Sequence, residues 1–377
     1  MIQTPGVLLT IVAFILVIGP LVFVHEMGHY LAGRWFGVDA EAFSIGFGRE
    51  VAGWTDRRGT RWKIGWLPLG GYVKFAGDMN PAGQPSAEWL ALPPAQRQRT
   101  FQAKPVWQRA IIVAAGPVIN FVLAVVILAG FALAYGDPRT PAVVGQAMPG
   151  TAAAAAGLRA GDQVTALGDR PVATFEDMVR FVKIRAGERI RVDYVRDGAA
   201  QSTVATIGTQ LQRDRFGNEY RVGLLGIAPG APVVRPVGVL EAPVVAVKRT
   251  GQIVGMMVET IGQIVTGRRS VKELGGPLSI AKVSGEQMTL GWDAFAFLIA
   301  LISINLGFIN LLPVPMLDGG HLFFYAIEAV RRRPVAPQTI EWAYRGGLMA
   351  VLALMLLVTF NDLGNFGLWR HLAGLIG

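Results

Sequence analysis

Residues 6–36 read GVLLTIVAFILVIGPLVFVHEMGHYLAGRWF, a long apolar run that ends in a cluster of polar residues. Its first 19 residues carry no charge, and the run leads into His25-Glu26-Met27-Gly28-His29. The length predicts a membrane-crossing helix, on which two histidines four residues apart share one face. Such a pair can hold one Zn²⁺, and the glutamate between them can act as base on the attacking water. A histidine pair that merely caps the helix at the lipid headgroups is the alternative, but polar groups at a membrane edge are costly and favour a functional site.

The composition agrees with a membrane protein. Hydrophobic residues make up 52% of the 377 and charged residues 16%, with a mean hydropathy of +0.43. Soluble chains carry about a quarter charged residues. The absence of cysteine excludes disulfides and thiolate metal sites. The net charge of +9 comes from dispersed basic residues beside apolar spans, which indicates membrane orientation and no nucleic-acid partner.

The stretch Glu41–Phe75 has strand periodicity on both sides of a polar turn at 56–59. Apolar Phe43, Ile45 and Phe47 alternate with Ser44, Gly46 and Gly48, and then Trp62, Ile64 and Trp66 alternate in turn. We expect a β-hairpin whose apolar face dips into the bilayer surface, with a soluble hairpin packed on a core as the alternative. Gly46 and Gly48 would leave one edge bare for a substrate strand. A polar surface loop is expected at Asn80–Pro105.

Three further apolar spans follow the first, at Ala110–Tyr135, Ala294–Leu317 and Gly346–Phe360. The third ends in two prolines, Pro313 and Pro315, which cannot both sit in a regular helix. Irregular backbone at membrane depth is tolerated only around a cavity or inside protein. Asp318 follows this break and is the favoured third zinc ligand. His321, one helical turn later, is the rival ligand, or else it hydrogen-bonds a ligand or contacts a lipid headgroup.

Between the second and third spans the composition is that of a soluble domain. Pro149-Gly150, an alanine-rich turn and Gly157-Leu158-Arg159-Ala160-Gly161-Asp162 precede strands and a helix at Thr174–Arg185. This order is similar to a bacterial PDZ domain, which takes peptide ends along a sheet edge. From Glu241 to Lys282, apolar residues at helical spacing are interrupted by charges, which favours an amphipathic helix along the membrane. A helix that packs against the PDZ-like domain is the alternative.

The distribution of Lys and Arg predicts the topology. The loops after the first and third spans are rich in arginine and should be cytoplasmic. Four spans then place both termini and the PDZ-like domain outside, and His25 and Asp318 toward the cytoplasmic side.

Three motifs together resemble the site-2 protease family of intramembrane zinc metalloproteases. They are His25-Glu26-x-x-His29, Gly116-Pro117-x-x-Asn120 and Asn310-x-x-Pro313-x-Pro315-x-Leu317-Asp318-Gly319. Within this family the chain resembles the regulator of sigma-E protease branch in particular. The motifs that carry this likeness are Gly46-Phe47-Gly48, Pro68-Leu69-Gly70-Gly71-Tyr72-Val73-Lys74 and Asn361-Asp362.

The resemblance implies that His25, His29 and Asp318 bind zinc and that Glu26 is the general base. It implies that Asn310 and Asn120 hold the substrate or the tetrahedral intermediate. The implied substrates are spans of single-pass proteins, notably an anti-sigma factor already trimmed by a site-1 protease, and signal-peptide remnants. Some members of this branch carry two PDZ domains, whereas this chain has room for one.

We therefore expect a polytopic α-helical protein of the bacterial inner membrane, with four transmembrane helices, a membrane-associated β-hairpin and one periplasmic α+β PDZ domain. The expected segments are 1–36 (first span), 37–106 (hairpin and loop), 107–136 (second span), 137–230 (PDZ), 231–290 (amphipathic region), 291–330 (third span) and 331–377 (fourth span and tail). A zinc transporter, which would not need Glu26, and a noncatalytic PDZ scaffold are the alternative functions.

Overall fold

The computed structural model describes residues 5–77, 91–213, 219–267, 270 and 275–365. The chain divides into two compact units. The membrane unit contains Met1–Leu128, Val247–Met256 and Lys272–Gly377, and the other unit contains Ala129–Ala246 and Met257–Val271. Residues 80–90 of the expected surface loop lie outside the described residues, as does the tail after residue 365.

Ten helices are formed by the residues that the structure describes. They are α1 (Val7–Trp35), α2 (Pro94–Arg97), α3 (Val106–Tyr135), α4 (Ala152–Ala155), α5 (Phe175–Lys183), α6 (Ala242–Val265), α7 (Pro277–Leu290), α8 (Trp292–Leu311), α9 (Asp318–Arg331) and α10 (Pro337–Asn365).

The strands, over the same described ranges, are β1 (Ala40–Thr55), β2 (Arg61–Phe75), β3 (Asp137–Arg139), β4 (Val144–Ala147), β5 (Gln163–Leu167), β6 (Arg170–Pro171), β7 (Arg189–Arg196), β8 (Ala199–Thr206), β9 (Gly208–Arg213), β10 (Glu219–Leu224), β11 (Ile227–Pro229) and β12 (Val233–Arg235).

Four of the described helices are long and apolar enough to cross a bilayer, as the sequence predicts. These are Val7–Trp35, Val106–Tyr135, Trp292–Leu311 and Gln338–Gly364. The third span ends at Leu311 rather than at Leu317, because Pro313 and Pro315 cannot continue the hydrogen-bond ladder. The fourth helix begins well before Gly346, because Arg345 pairs with Glu341 one turn earlier and both charges are accommodated at the helix end.

The region predicted as one amphipathic segment, 231–290, contains two separate helices, α6 and α7. Helix α7 packs on α1 so closely that a Cβ on Gly285 would lie 2.8 Å from Oγ1 of Thr10. Its first turn is capped by Asp362, which accepts hydrogen bonds from the backbone N–H groups of Gly276 (3.2 Å) and Ser279 (3.0 Å). An N-terminal carboxylate cap satisfies donors that the helix leaves unpaired. Asp362 therefore anchors α7 within the membrane unit.

The predicted hairpin forms, but each of its strands folds back at its glycines. Residues 42–45 of β1 pair with 71–74 of β2 on one side and with 61–64 on the other. The outer part of β1, from Glu50 to Thr55, pairs with 61–65. Two long strands thus make a sheet four segments wide, in which 42–45 is interior. The segment 71–75 lies at one edge and 50–55 at the other.

The second unit is rich in sheet, and residues 137–235 are called the sheet domain below. Its largest sheet has the strand order β6-β5-β7-β8, with α5 beside a core that includes Leu167, Phe181 and Val192. Helix α5 starts with a capping box, in which the side chains of Thr174 and Asp177 each accept a hydrogen bond from the other residue's backbone N–H. Strand β12 pairs with β3, so the pairing extends to Arg235, beyond the expected end at residue 230.

Candidate metal centre and active site

Helix α1 carries three buried polar side chains on its second half. His25, Glu26 and His29 are each 8% exposed. The spacing of four residues brings both imidazoles to one face, with Nε2 of His25 and Nε2 of His29 only 3.3 Å apart. Two imidazole nitrogens that face each other in a buried site need a shared cation or proton between them.

Asp318 completes a triangle of ligand atoms. Its Oδ2 lies 3.2 Å from Nε2 of His25 and 3.5 Å from Nε2 of His29. Tetrahedral zinc with bonds of about 2.0–2.1 Å separates its ligand atoms by about 3.3 Å, so the three edges fit this ion. Among the described residues these three form the group able to hold a metal, and Oδ2 of Asp318 is buried there without a hydrogen-bond partner. The donor set of two imidazoles and one carboxylate suits a catalytic zinc with one open position.

Helix α3 orients the His29 ring. Nδ1 of His29 lies 2.9 Å from the carbonyl oxygen of Ile112, which accepts its N–H and leaves Nε2 with a lone pair toward the site. A Cβ on Gly116, one turn further along α3, would lie 2.2 Å from Nε2 of His29. Only glycine leaves room for the ring, which explains the Gly116 of the second motif.

Asn120 orients the His25 ring from the same helix. The side-chain amide is fully buried and its nitrogen lies 3.0 Å from Nδ1 of His25, while its oxygen has no hydrogen-bond partner among the described atoms. The two ends of a carboxamide have nearly the same shape, so turning the amide places the oxygen as acceptor for Nδ1–H. That arrangement leaves Nε2 of His25 as a ligand. Asn120 thus lies behind a histidine rather than on a substrate surface.

The break in the helix after α8 places the Asp318 side chain beside the two histidines. Between Leu311 and Asp318 the chain folds back over the first turn of α9, and Met316 has a φ of +87°. A Cβ on Gly319 would lie 2.2 Å from the carbonyl oxygen of Leu312, and one on Gly320 would lie 2.5 Å from that of Val314. The two glycines are needed for this close return of the backbone. The break therefore sets the position of Asp318.

His321 lies outside the triangle, although it lines the same cavity. The hydroxyl of Tyr344 is 2.8 and 2.7 Å from its two ring nitrogens. Asn310, in the last turn of α8, also lines this cavity. The geometry thus separates the two rival third ligands and favours Asp318 over His321.

The cavity around the triangle has a volume of about 340 Å³. The hairpin contributes the edge segment of β2, whose Val73 N–H is directed at the Glu26 carboxylate. A Cβ on Gly71 would be 3.0 Å from Cγ of Glu26, so the backbone approaches the glutamate closely. The lining residues of the described chain are His25, Glu26, His29, Gly71, Tyr72, Val73, Phe75, Phe101, Ile112, Val113, Asn310, Met316, Asp318, His321 and Tyr325.

The expected edge residues Gly46, Phe47 and Gly48 are not in that described lining. Gly46 and Gly48 have φ values of +85° and +86°, where the strand reverses. A Cβ on Gly46 would be 2.8 Å from the carbonyl oxygen of Leu67, so the close backbone there is the hairpin's own. Phe47 stacks on Tyr72, with ring centroids 6.2 Å apart. The edge segment that lies beside the cavity is 71–75, and the double glycine at 70–71 precedes it in the sequence.

A membrane chain with a two-histidine, one-carboxylate site and an adjacent glutamate defines a class, the membrane-embedded zinc peptidases. The model of peptidase family M50 matches residues 13–354. The chain belongs to this family, that of the site-2 proteases, and is a zinc metalloprotease.

Relatives match over nearly their whole lengths. A protein of Agrobacterium fabrum, provisionally named as a zinc metalloprotease, is 44% identical over 94% of this chain and 96% of its own. A protein of Mesorhizobium japonicum with the same provisional name is 42% identical over 94% of this chain and 98% of its own. Metalloprotease MmpA of Caulobacter vibrioides is 35% identical over 98% and 99%. These names agree with the predicted enzyme class and with zinc as the cofactor.

Among solved structures, the PDZ domain of the SdrC-like protein from Listeria monocytogenes aligns with 24% of this chain and 87% of its own length. The sequence identity is 15% and the TM-score 0.19. A similarity this low shows no role for the sheet domain.

Proposed function

We propose that this metalloprotease is an intramembrane endopeptidase that cuts within the spans of single-pass membrane proteins. Pre-trimmed anti-sigma factors and signal-peptide remnants are the proposed substrates, in regulated intramembrane proteolysis at the bacterial inner membrane. One observation supports this most: the triangle of His25, His29 and Asp318 is built from residues in, or directly following, candidate spans. A bond that reaches this site must come from a segment at membrane depth.

His25, His29 and Asp318 are the proposed zinc ligands. When bound, zinc acts as a Lewis acid and makes a water molecule a nucleophile near neutral pH. The Glu26 carboxylate takes a proton from the attacking water and passes it to the leaving amide nitrogen. Asn310 lines the cavity, and its side-chain N–H is the proposed donor to the substrate carbonyl oxygen as negative charge develops there.

We propose that the substrate is held as an added strand on the edge of β2. A helical span hides its carbonyls in its own hydrogen bonds, so it has to unwind before attack. Residues 71–75 offer the edge beside the cavity, and strand addition would satisfy the backbone of the unwound segment. The Val73 N–H directed at Glu26 lies on this edge. Gly46, Phe47 and Gly48 form the reversal of β1 in the same hairpin, and by this they are proposed to help hold the edge in place.

The sheet domain is proposed to act as a single periplasmic PDZ domain that selects substrates already cut by a site-1 protease. The arginine-rich loops after the first and third spans support a cytoplasmic placement of the zinc site and a periplasmic placement of the termini. A domain so placed can obstruct bulky outer portions and bind newly made ends. It holds none of the four histidines.

The test is incubation of the purified, zinc-loaded protein with single-span substrates in liposomes, followed by mass spectrometry of the products. We expect new termini inside the span. Cleavage confined to the water-exposed flanks would contradict the intramembrane assignment. Transport of zinc without any cleavage would favour the transporter alternative, and neither activity would favour the scaffold.

A further inference from the structure

A second cavity lies at the end of α1, outside the metal site. Its volume is about 690 Å³, and it is lined by Arg34, Gly37, Val38, Asp39, Arg57, Arg58 and Arg99. Four arginines face one carboxylate, which leaves a net charge of +3 on the lining. A concave surface with this excess of guanidinium groups attracts anions.

One acidic group is shared by two of these arginines. Asp39 accepts a hydrogen bond from Nη1 of Arg34 at 3.0 Å and one from Nη2 of Arg99 at 2.8 Å. Arg34 also donates to Thr60, but its Nε is buried without a hydrogen-bond partner among the described atoms, and its side chain is 13% exposed. Arg34 is therefore a buried guanidinium held in place by its hydrogen bonds, and Asp39 ties to it the more exposed Arg99, whose side chain is 66% exposed.

Arg57 and Arg58 supply the rest of the charge from the hairpin turn. Both residues are exposed, and the turn is held by Asp56, whose carboxylate accepts from the N–H of Arg58 and from the Trp62 indole. The hydrogen bond from Trp62 lowers the pKa of Asp56, so this carboxylate stays ionised and the turn keeps its form. The two arginines thus project from a rigid support.

Two tryptophans place this cavity at the level of lipid headgroups. Trp35 and Trp107 are 88% and 57% exposed, at the last residue of α1 and near the first residue of α3. The ring of Trp107 packs on Phe36, with centroids 5.5 Å apart. Exposed tryptophans at the ends of apolar spans mark the membrane–water interface. Arg34 and Gly37, which flank Trp35 and Phe36, line the cavity.

We propose that this cavity binds a phosphate group, that of an anionic phospholipid headgroup or of a soluble phosphate ester. Arginine forks match phosphate oxygens in pairs, which makes them the usual partners of this anion. Basic pockets between spans recognise acidic headgroups in the same way. A lipid held here would fix the end of α1, six residues past His29, and the hairpin turn against the bilayer.

The experiment measures binding of phosphatidylglycerol and of phosphatidylcholine to the full-length protein in detergent, by titration and native mass spectrometry. The variant Arg57→Gln/Arg58→Gln should bind phosphatidylglycerol about tenfold more weakly or worse, since each basic residue near acidic lipid contributes about 1 kcal/mol. The matched control Arg170→Gln/Arg189→Gln removes the same charge from exposed positions in the sheet domain and should bind as the unchanged protein does. Zinc content and melting temperature verify that both variants are folded.

A second arm adds glycerol phosphate in large excess. Displacement of the lipid would assign the site to the phosphate group alone, and no displacement would show that the acyl chains at the tryptophan level are also needed. The proposal is overturned if Arg57→Gln/Arg58→Gln keeps its affinity for phosphatidylglycerol. It is equally overturned if the control loses as much, or if phosphatidylcholine binds as tightly as phosphatidylglycerol.

Discussion

The side-chain amide of Asn120 lies 3.0 Å from Nδ1 of His25, across 95 residues of sequence. This contact joins the motif of the second span to that of the first. With the amide oxygen as acceptor, Nδ1 carries the proton of His25 and Nε2 stays free toward Asp318. We therefore predict that Asn120 positions a zinc ligand, whereas the family resemblance implies a contact with substrate.

The first prediction tests this role by the affinity for zinc. Asn120→Ala removes the acceptor for Nδ1–H, so the dissociation constant for Zn²⁺, measured by competition with a chelator, should rise about 10–100-fold. Asn120→Asp keeps an acceptor of the same size and should bind zinc nearly as well as the unchanged protein. Equal affinities in Asn120→Ala and the unchanged protein would contradict a positioning role, and so would equal losses in the two variants.

Gly116 gives a steric test of the same centre. In Gly116→Ala the new Cβ would start 2.2 Å from Nε2 of His29, so the ring has to move and zinc affinity should fall at least about tenfold. Gly130→Ala is the matched control, because it lies in the same helix with no heavy atom within 4 Å of its Cβ. Zinc content after dialysis distinguishes them. Full zinc occupancy in Gly116→Ala would show that His29 is not held as described.

Much of the metal site follows from local sequence rules. The spacing of His25 and His29 fixes their common face, and the prolines at 313 and 315 force the break that releases Asp318. These features depend on residues close together in the chain. The contact of Asn120 with His25 depends on how two spans pack, which sequence spacing does not contain.

The hairpin shows where sequence patterns fail. Alternation predicts strands at 43–47 and 62–66, and both are formed. It cannot show that each strand folds back at its glycines, so that 42–45 becomes interior and 71–75 becomes the edge. The sequence predicts a bare strand edge at Gly46 and Gly48, whereas in the structure their positive φ angles lie where the strand reverses its direction. The separation of α6 from α7 was missed for a similar reason, since Asp362, which caps α7, lies more than 70 residues downstream of that helix.

The absence of native cysteine allows a direct test of the substrate edge. In a Glu26→Gln background, a single cysteine at Tyr72, on the cavity edge, should form disulfides with cysteines placed within the substrate span. A cysteine at Val51, on the opposite edge and 69% exposed, should not. Gel electrophoresis without reductant measures both. Cross-links that are stronger from Val51 than from Tyr72 would place the substrate on the other edge.

The sheet domain should lose stability in acid through Asp162. Burial raises the pKa of this carboxyl, but hydrogen bonds from Arg196 (two of 2.7 Å) and from the N–H of Arg159 outweigh it, and the pKa lies below its ordinary value. A lowered pKa contributes stability above the unfolded pKa of about 4, and the contribution is lost as the pH falls through the folded pKa.

Asp162→Asn should therefore lower the free energy of unfolding of this domain by about 1–2 kcal/mol at neutral pH. Hydrogen exchange of β5 and β7 in the full chain, compared from pH 7 down to acid, measures the difference. The difference in exchange protection between the unchanged protein and the variant should stay constant down to about pH 5 and disappear below about pH 4. A difference that grows in acid would contradict this role.

The central claim, that Glu26 moves the proton in a zinc site made by His25, His29 and Asp318, is tested most directly by Glu26→Gln. Zinc content and cleavage of a single-span substrate are measured on the same preparation. The substitution keeps the size of the side chain and leaves the three ligands in place, so about one zinc per chain should remain. Cleavage should fall by about 10²–10⁴-fold, the usual contribution of a general base. Cleavage at the unchanged rate by zinc-loaded Glu26→Gln would contradict the account.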